Sequence, residues 1–306
     1  MLSEVFYWTL NMSIIGTLMG GILLLVRKVR FLPRQAVYLL WVIPLIRLVI
    51  PFGISSRFSL MNIISTFATR TVVLYSSDHS PSLVLSNFFM AAKDYSPIAY
   101  KTPALETVFH IFSLIWLVLC VALLITVLLL YYFTKTEMRN AVRIRDNIYS
   151  TDRINTPAIY GIIHPKIIIP VNMVDMDMKY ILLHENVHLK RKDNLFRCIA
   201  ILTACLHWFN PMVWVLLKFY FQDMETSCDA KVLSRLGDKE KTPYALSLLD
   251  CATRKNLFVS SFGGAKITIR IENILSYKKV TLVSGLFFAL LIAAMAVVLL
   301  TNSWIS

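Results

Sequence analysis

His184 and His188 stand four residues apart in "LLHENVHLKRKDN" (182–194), and Glu185 directly follows the first. On an α-helix, residues four apart lie on one face, a turn above one another, so both imidazoles can offer a nitrogen to one metal ion. Glu185 projects about a hundred degrees round from His184, close to a water on such a metal without having to bind it. Two nitrogen ligands beside a carboxylate make the H-E-x-x-H arrangement, in which zinc activates water and the glutamate acts as general base. The predicted chemistry is hydrolysis of an amide bond. The bland alternative is a pair of surface histidines on a basic helix.

A hydrolytic zinc needs a third protein ligand and an open position for water. The next histidine, His207, lies in an aromatic, apolar setting that reads as interfacial. The carboxylates come from "ETSCD" (225–229). Glu225 is the candidate third ligand, brought opposite His184 and His188 if two helices pack antiparallel. Asp229, one turn on, can accept the far N–H of a ligating histidine and fix its tautomer. Asp223 competes from a different face, and Asp229 has a plainer use in a salt bridge with Lys231 or Arg235. An oxyanion donor is also expected, with Tyr160, His164 and Tyr244 as candidates. Cys120, Cys198, Cys205, Cys228 and Cys251 contain no C-x-x-C pair, so a thiolate zinc site is not expected.

The elements that must hold these residues sit in a chain of 306 residues that is 57% hydrophobic, above the roughly 45–50% of soluble proteins. The excess falls in four runs, 5–26, 37–53, 108–133 and 282–300, each about as long as a bilayer crossing requires. The second is the shortest and contains Pro44 and Arg47. Arg47 there either pairs with another span or snorkels to the headgroups. No basic residue precedes the first run, and Arg27, Lys28, Arg30 and Arg34 follow it, which suits a retained span better than a signal peptide. Basic residues also follow the third run and precede the fourth. By the positive-inside rule, the first loop and the region between the third and fourth runs are cytoplasmic. The net charge of +13 is then topological signal and lipid headgroup contact, with no direct nucleic-acid role. Disulfides are not expected on that side.

The outline is a mainly α membrane protein with four transmembrane helices. Residues 1–134 hold three of them and an extracellular loop at 54–106. Residues 135–280 form a cytoplasmic α+β domain, and 281–306 hold the fourth helix. Both termini are then extracellular. Within 135–280, "TPAIYGIIHPKIIIP" (156–170) predicts two short strands punctuated by prolines. An exposed strand edge there would either accept an extended substrate or merely cover the helices. One helix is expected to carry 182–194 and run on towards 206. A second starts at Pro211 behind an Asn210 cap, its apolar first half pressed against the membrane, and a third ends near 253. "SSFGGAKITIRIENILSYKK" (260–279) reads as a glycine-containing loop and a basic segment. In that loop Ser261 and Phe262 mark a candidate self-cleavage point, with a plain connector as the alternative.

"HENVHLKRKDNL", "WFNPMVW" and "DMETSCDAKVL", in that order, together with the upstream strand pair, resemble the BlaR/MecR-type membrane metallopeptidases. These are bacterial sensor–transducers of antibiotic (β-lactam) resistance, and the resemblance is close over about 150–280. It implies a gluzincin-like zinc domain facing the cytoplasm, with ligands His184, His188 and Glu225 and general base Glu185. It further implies autoproteolysis, a repressor-like cytoplasmic substrate, signal transduction across the bacterial plasma membrane and, by analogy, a homodimer. The best-known members carry an extracellular penicillin-binding domain after the last span. This sequence stops at Ser306, so no such sensor and no β-lactam binding are expected. Two other readings remain: a non-catalytic, zinc-containing signalling scaffold, against which the intact Glu185 argues, and a housekeeping membrane protease resembling prenyl-protein endopeptidases, which the "WFNPMVW" and "SCD" context disfavours.

Overall fold

The computed structural model describes residues 2–29, 32–50, 55–60, 62, 103–174, 178–253, 267–279 and 281–303. Three apolar stretches form helices long and apolar enough to cross a membrane: α1 (Leu2–Val26), a long α4 (Pro103–Glu137) and a late helix at Leu282–Leu300. Side chains such as Leu119, Leu128 and Val118 on α4, and Leu286, Phe287 and Leu290 on the late helix, point outward. Rows of exposed apolar groups on this scale suit a lipid environment rather than water.

The run at 37–53 is not one such helix. It folds as α2 (Arg34–Leu40) and α3 (Val42–Val49), meeting at Trp41. Pro44 has no N–H to give to the carbonyl one turn earlier, and its ring crowds that carbonyl, so the helix breaks ahead of it. Together α2 and α3 extend about 24 Å as a broken helix. Val37, Leu40, Trp41, Ile43 and Leu48 on this pair are buried.

After α4 a four-stranded sheet forms from β2 (Val142–Arg145), β3 (Ile148–Thr151), β4 (Ala158–Tyr160) and β5 (Lys166–Pro170), in the order β2-β3-β5-β4. β2 and β3 are an antiparallel hairpin, β3 runs parallel to β5, and β4 is antiparallel to β5. The hairpin turns on Asp146-Asn147, with Asp146 at φ 42°, a backbone state that Asp and Asn tolerate in tight two-residue turns. The earlier short strand β1 (Ser55–Ser56) pairs in parallel with β6 (Asn302–Ser303).

Ile167 and Ile169 of β5 pack with Met173, Met178 and Ile181, which seats the sheet on α5 (Lys179–Arg191). The single helix expected through 182–206 is two. Lys192 takes a left-handed conformation (φ 57°, ψ 36°), closing α5 and opening α6 (Asp193–Leu206). Its N–H bonds to the carbonyls of His188 and Leu189, so one residue both caps α5 and turns the chain. α7 (Pro211–Leu233) begins as the sequence predicts, with the Asn210 side chain accepting from the Met212 N–H and Pro211 at the first position. α8 (Lys241–Thr253), α9 (Ile267–Leu275) and α10, the late apolar helix at Leu282–Leu300, complete the described chain.

α7 divides its length between two cores. Its first half joins α1, α2, α3 and α6 through Met19, Leu23, Leu40, Ala204, Leu216 and Met224. Close approach of α1 depends on missing side chains: a Cβ on Gly20 would collide with Leu216, and one on Gly16 with Leu48. The second half packs Cys228 and Val232 with Val187, Tyr244, Leu248 and Ile274 of α5, α8 and α9. The candidate residues stand where these helices meet.

Candidate metal centre

α5 buries His184 and His188, leaving 4% and 6% of each exposed. α7 runs antiparallel beside it, so Asp229 lies by His184 and Glu225 lies by His188. The far nitrogen of each imidazole is already engaged. His184 Nδ1 is 2.9 Å from the Tyr244 hydroxyl and 3.3 Å from Asp229 Oδ1. The Tyr244 hydroxyl donates in turn to Asp229 Oδ1 at 2.7 Å. His188 Nδ1 is 2.5 Å from Asp193 Oδ2, a contact made possible by the Lys192 corner, which folds Asp193 back onto the helix just ended. This network assigns the proton of both rings to Nδ1 and leaves both Nε2 atoms as lone-pair donors.

Those lone pairs converge. His184 Nε2 and His188 Nε2 are 3.1 Å apart, and each is 3.6 Å from Glu225 Oε2. A tetrahedral zinc site with bonds of about 2.0–2.1 Å has ligand–ligand edges of about 3.3–3.4 Å, and this triangle matches it. Three donor atoms held so close in a buried place repel one another unless a cation is shared between them.

Cys228 is also near, and His184, His188 and Cys228 form a group able to hold a metal, with ligand atoms within 4.8 Å of one another. Cys228 Sγ, however, lies 3.6 Å from Nδ1 of His184, the back of that ring, and also contacts the His184 carbonyl. Glu225 sits on the Nε2 side of both rings and is the better third ligand.

The charges around the triangle agree. Burial alone would raise the Glu225 carboxyl, but His188, His184 and Arg270 outweigh it and hold Glu225 well below the usual carboxylate range. Burial disfavours a charged imidazole, yet His184 is raised well above its ordinary value by Cys228 and Asp229, and His188 by Cys228, Glu225 and Asp193. Asp229 is lowered against its burial chiefly by Arg270. The anionic neighbours thus favour positive charge on the two rings, while Arg270 opposes it at His184. Glu185 is half-buried on α5, next to His184.

Several partners were not foreseen from the sequence. Arg270 on α9 grips Asp229 through Nε and one terminal nitrogen, both at 2.8 Å. That same nitrogen lies 3.2 Å from His184 Nε2, and the other lies 3.4 Å from Glu225 Oε2. Arg197 on α6 holds the remaining Glu225 oxygen at 2.5 Å. Asp193 receives Tyr38 Oη at 3.3 Å and Arg191 Nε at 3.3 Å. The one available signal for Arg270 was a single arginine inside an apolar, helix-compatible "ITIRIENIL".

Other candidates stand elsewhere. Asp223 faces away, bound by Arg27 at 2.8 and 3.1 Å and by the Trp41 indole at 2.8 Å. Asp229 takes Arg270 as its salt-bridge partner where Lys231 or Arg235 was the expected plain alternative. His207 is fully buried and bonds the Leu48 carbonyl through Nε2. Of the expected oxyanion donors, Tyr160 donates to the Tyr131 carbonyl, His164 is exposed, and Tyr244 stands behind the His184 ring. Asn194 donates to the carbonyls of Ile159 and Gly161, so part of the β4 edge is already satisfied. Ser261 and Phe262 lie outside the described residues.

Residues 7–274 match the profile of the BlaR1 peptidase M56 family. Curated relatives include the regulatory protein BlaR1 of Bacillus licheniformis, 36% identical over 124 residues, which are 40% of this chain and 21% of that protein. The methicillin resistance mecR1 protein of Staphylococcus aureus (strain Mu50) is 30% identical over 117 residues, 37% of this chain and 20% of that one. BlaR1 of Staphylococcus aureus is 24% identical over 222 residues, 61% of this chain and 38% of that one. The chain therefore spans from about a fifth to two fifths of the length of these relatives.

Proposed function

The chain belongs to the BlaR1 peptidase M56 family, and on that premise we propose that it is an integral-membrane zinc metalloendopeptidase acting in transmembrane signalling. The observation that carries this reading is the triangle of His184 Nε2, His188 Nε2 and Glu225 Oε2, with edges of 3.1, 3.6 and 3.6 Å. Both imidazoles in it are held through Nδ1 by buried carboxylate networks. These three residues would hold the ion, which supplies a water nucleophile at neutral pH and polarises a peptide carbonyl. Glu185 takes the proton of the attacking water and returns it to the departing amine nitrogen. Asp193 fixes the ring of His188, and Tyr244 with Asp229 fixes that of His184, so neither turns its Nε2 away.

In this proposal α1, the α2–α3 pair as a broken helix, α4 and α10 make four crossings of the bacterial plasma membrane, with the centre on the cytoplasmic side and both termini outside. The support is the basic cluster after α1 and the basic residues flanking α4 and α10. Residues 135–280 carry the gluzincin-like chemistry between the membrane segments 1–134 and 281–306. The substrate is the chain itself, at Ser261–Phe262, or a cytoplasmic repressor-like regulator. That relatives are named regulatory and methicillin-resistance proteins supports a role in regulation.

The test is a comparison of detergent-purified wild type and Glu185→Gln, each with bound zinc quantified and intact mass recorded. Zinc near one per chain in both, with fragments only from wild type, is expected. Wild type purified without zinc would sink the assignment. Zinc in both with no cleavage of chain or regulator would favour the scaffold reading.

A further inference from the structure

We propose that Arg270 is a further catalytic residue of this centre: its guanidinium receives the negative charge that builds on the substrate's carbonyl oxygen. The inference rests on the metallopeptidase reading above. It starts from what borders the converging ligand atoms. None of the tyrosines and histidines expected to serve as oxyanion donors faces the Nε2 side of the triangle. Arg270 does, with one terminal nitrogen 3.2 Å from His184 Nε2 and the other 3.4 Å from Glu225 Oε2.

The placement is held from behind. Asp229 takes Nε and one terminal nitrogen of Arg270, both at 2.8 Å, and leaves the other terminal nitrogen directed at the ligand edge. Asp229 is itself fixed by the Tyr244 hydroxyl. α9 is anchored by Ile274, which is fully buried, and by Asn273, which accepts from Arg34 Nε at 2.8 Å. A rigid donor fork fixed before the reaction is what electrostatic stabilisation of a developing charge requires.

Arg270 keeps Glu225 ionised and pins Asp229, yet its own positive charge beside the ligand atoms opposes a bound cation, so support of the ligands is not its whole use. Its position makes sense for a charge that exists only during turnover. As the water oxygen bonds to the carbonyl carbon, the carbonyl π pair moves onto oxygen, and Arg270 donates an N–H to it. When the carbon–nitrogen bond breaks, that pair re-forms the carbonyl, and the amine leaves with the proton from Glu185.

The competing account makes Arg270 only the counter-ion of Asp229. The two separate on full-length, detergent-purified wild type, Arg270→Lys and Arg270→Met. Zinc affinity is read by chelator competition, thermal stability by unfolding, and binding with two probes. N-phosphoryl-Leu-Trp carries a tetrahedral anion, and leucine hydroxamate binds without one. The expected result is zinc affinity within a few fold of wild type or tighter, phosphoramidate affinity down by about a hundredfold or more, and hydroxamate affinity little changed. Arg270→Lys should fall between, because an ammonium cannot hold Asp229 as a fork. Equal phosphoramidate binding in wild type and Arg270→Met would overturn the proposal. So would a parallel loss of zinc, stability and both probes, which is the counter-ion signature. Wild type that binds no zinc would fail the metallopeptidase reading first, and this inference with it.

Discussion

At the scale of single residues, the histidine spacing told the most and the carboxylates told less. H-E-x-x-H is a pattern within one turn of one helix, so His184, Glu185 and His188 were legible from sequence alone. Glu225 and Asp229 were legible as candidates through the resemblance and their spacing. Asp193 was not, although it lies five residues from His188, because its reach depends on a left-handed residue that no glycine announces. A substitution Asp193→Asn should lower zinc affinity about 10- to 100-fold, as loss of a ligand's supporting carboxylate usually does, and chelator competition reads it. Proton competition gives a second prediction. His184 and His188 are both held above the ordinary imidazole range by the surrounding anionic groups, against their burial. A raised pKa keeps a proton on the ring at higher pH, and that proton excludes the metal. Zinc should therefore be lost as pH falls, beginning above the ordinary histidine midpoint of about 6.5. Zinc retained unchanged down to pH 5 would contradict this.

At the scale of elements, boundaries followed local chemistry wherever that chemistry was strong. The Asn210-Pro211 start of α7 and the bounds of α10 agree with the sequence expectation because a cap, a proline and an uninterrupted apolar run are local signals. The β2–β3 hairpin went unread although Asp146-Asn147 between two β-branched runs was available to find it. The break at Lys192 had no comparable signal. Lys192→Gly should raise stability by up to about 1 kcal/mol, since a left-handed backbone costs a side-chain-bearing residue about that much. Zinc content should be unchanged, and thermal unfolding in detergent reads the difference. Lys192→Val should destabilise, because branching at Cβ makes that conformation worse. On the other side of α7, Gly20→Leu would force α1 away from Leu216 and cost about 1–3 kcal/mol by overpacking. An unfolding midpoint equal to wild type would mean that α1 does not bear on α7 there.

At the scale of the whole molecule, α2 and the residue that ends it reach three of the elements around the candidate centre, α6, α7 and α9. Trp41, at its end, holds Asp223 together with Arg27, two residues before Glu225 on α7. Tyr38 reaches Asp193, the support of His188, and Arg34 reaches Asn273, three residues beyond Arg270 on α9. Removing Arg27 leaves the buried Asp223 carboxylate without its cation, and losing one partner of a buried pair costs about 3–5 kcal/mol. Arg27→Met should unfold at a markedly lower temperature than wild type, and Asp223→Asn in the Arg27→Met background should recover part of the loss. These links were invisible in the sequence, since each joins residues more than 150 positions apart. They also bear on how the molecule can be divided. A fragment cut at residue 135 would keep the histidines and Glu225 yet lose all three clasps at once, so the part that bears the candidate centre is not an exchangeable cassette but one side of a joint whose other side is the first membrane segment.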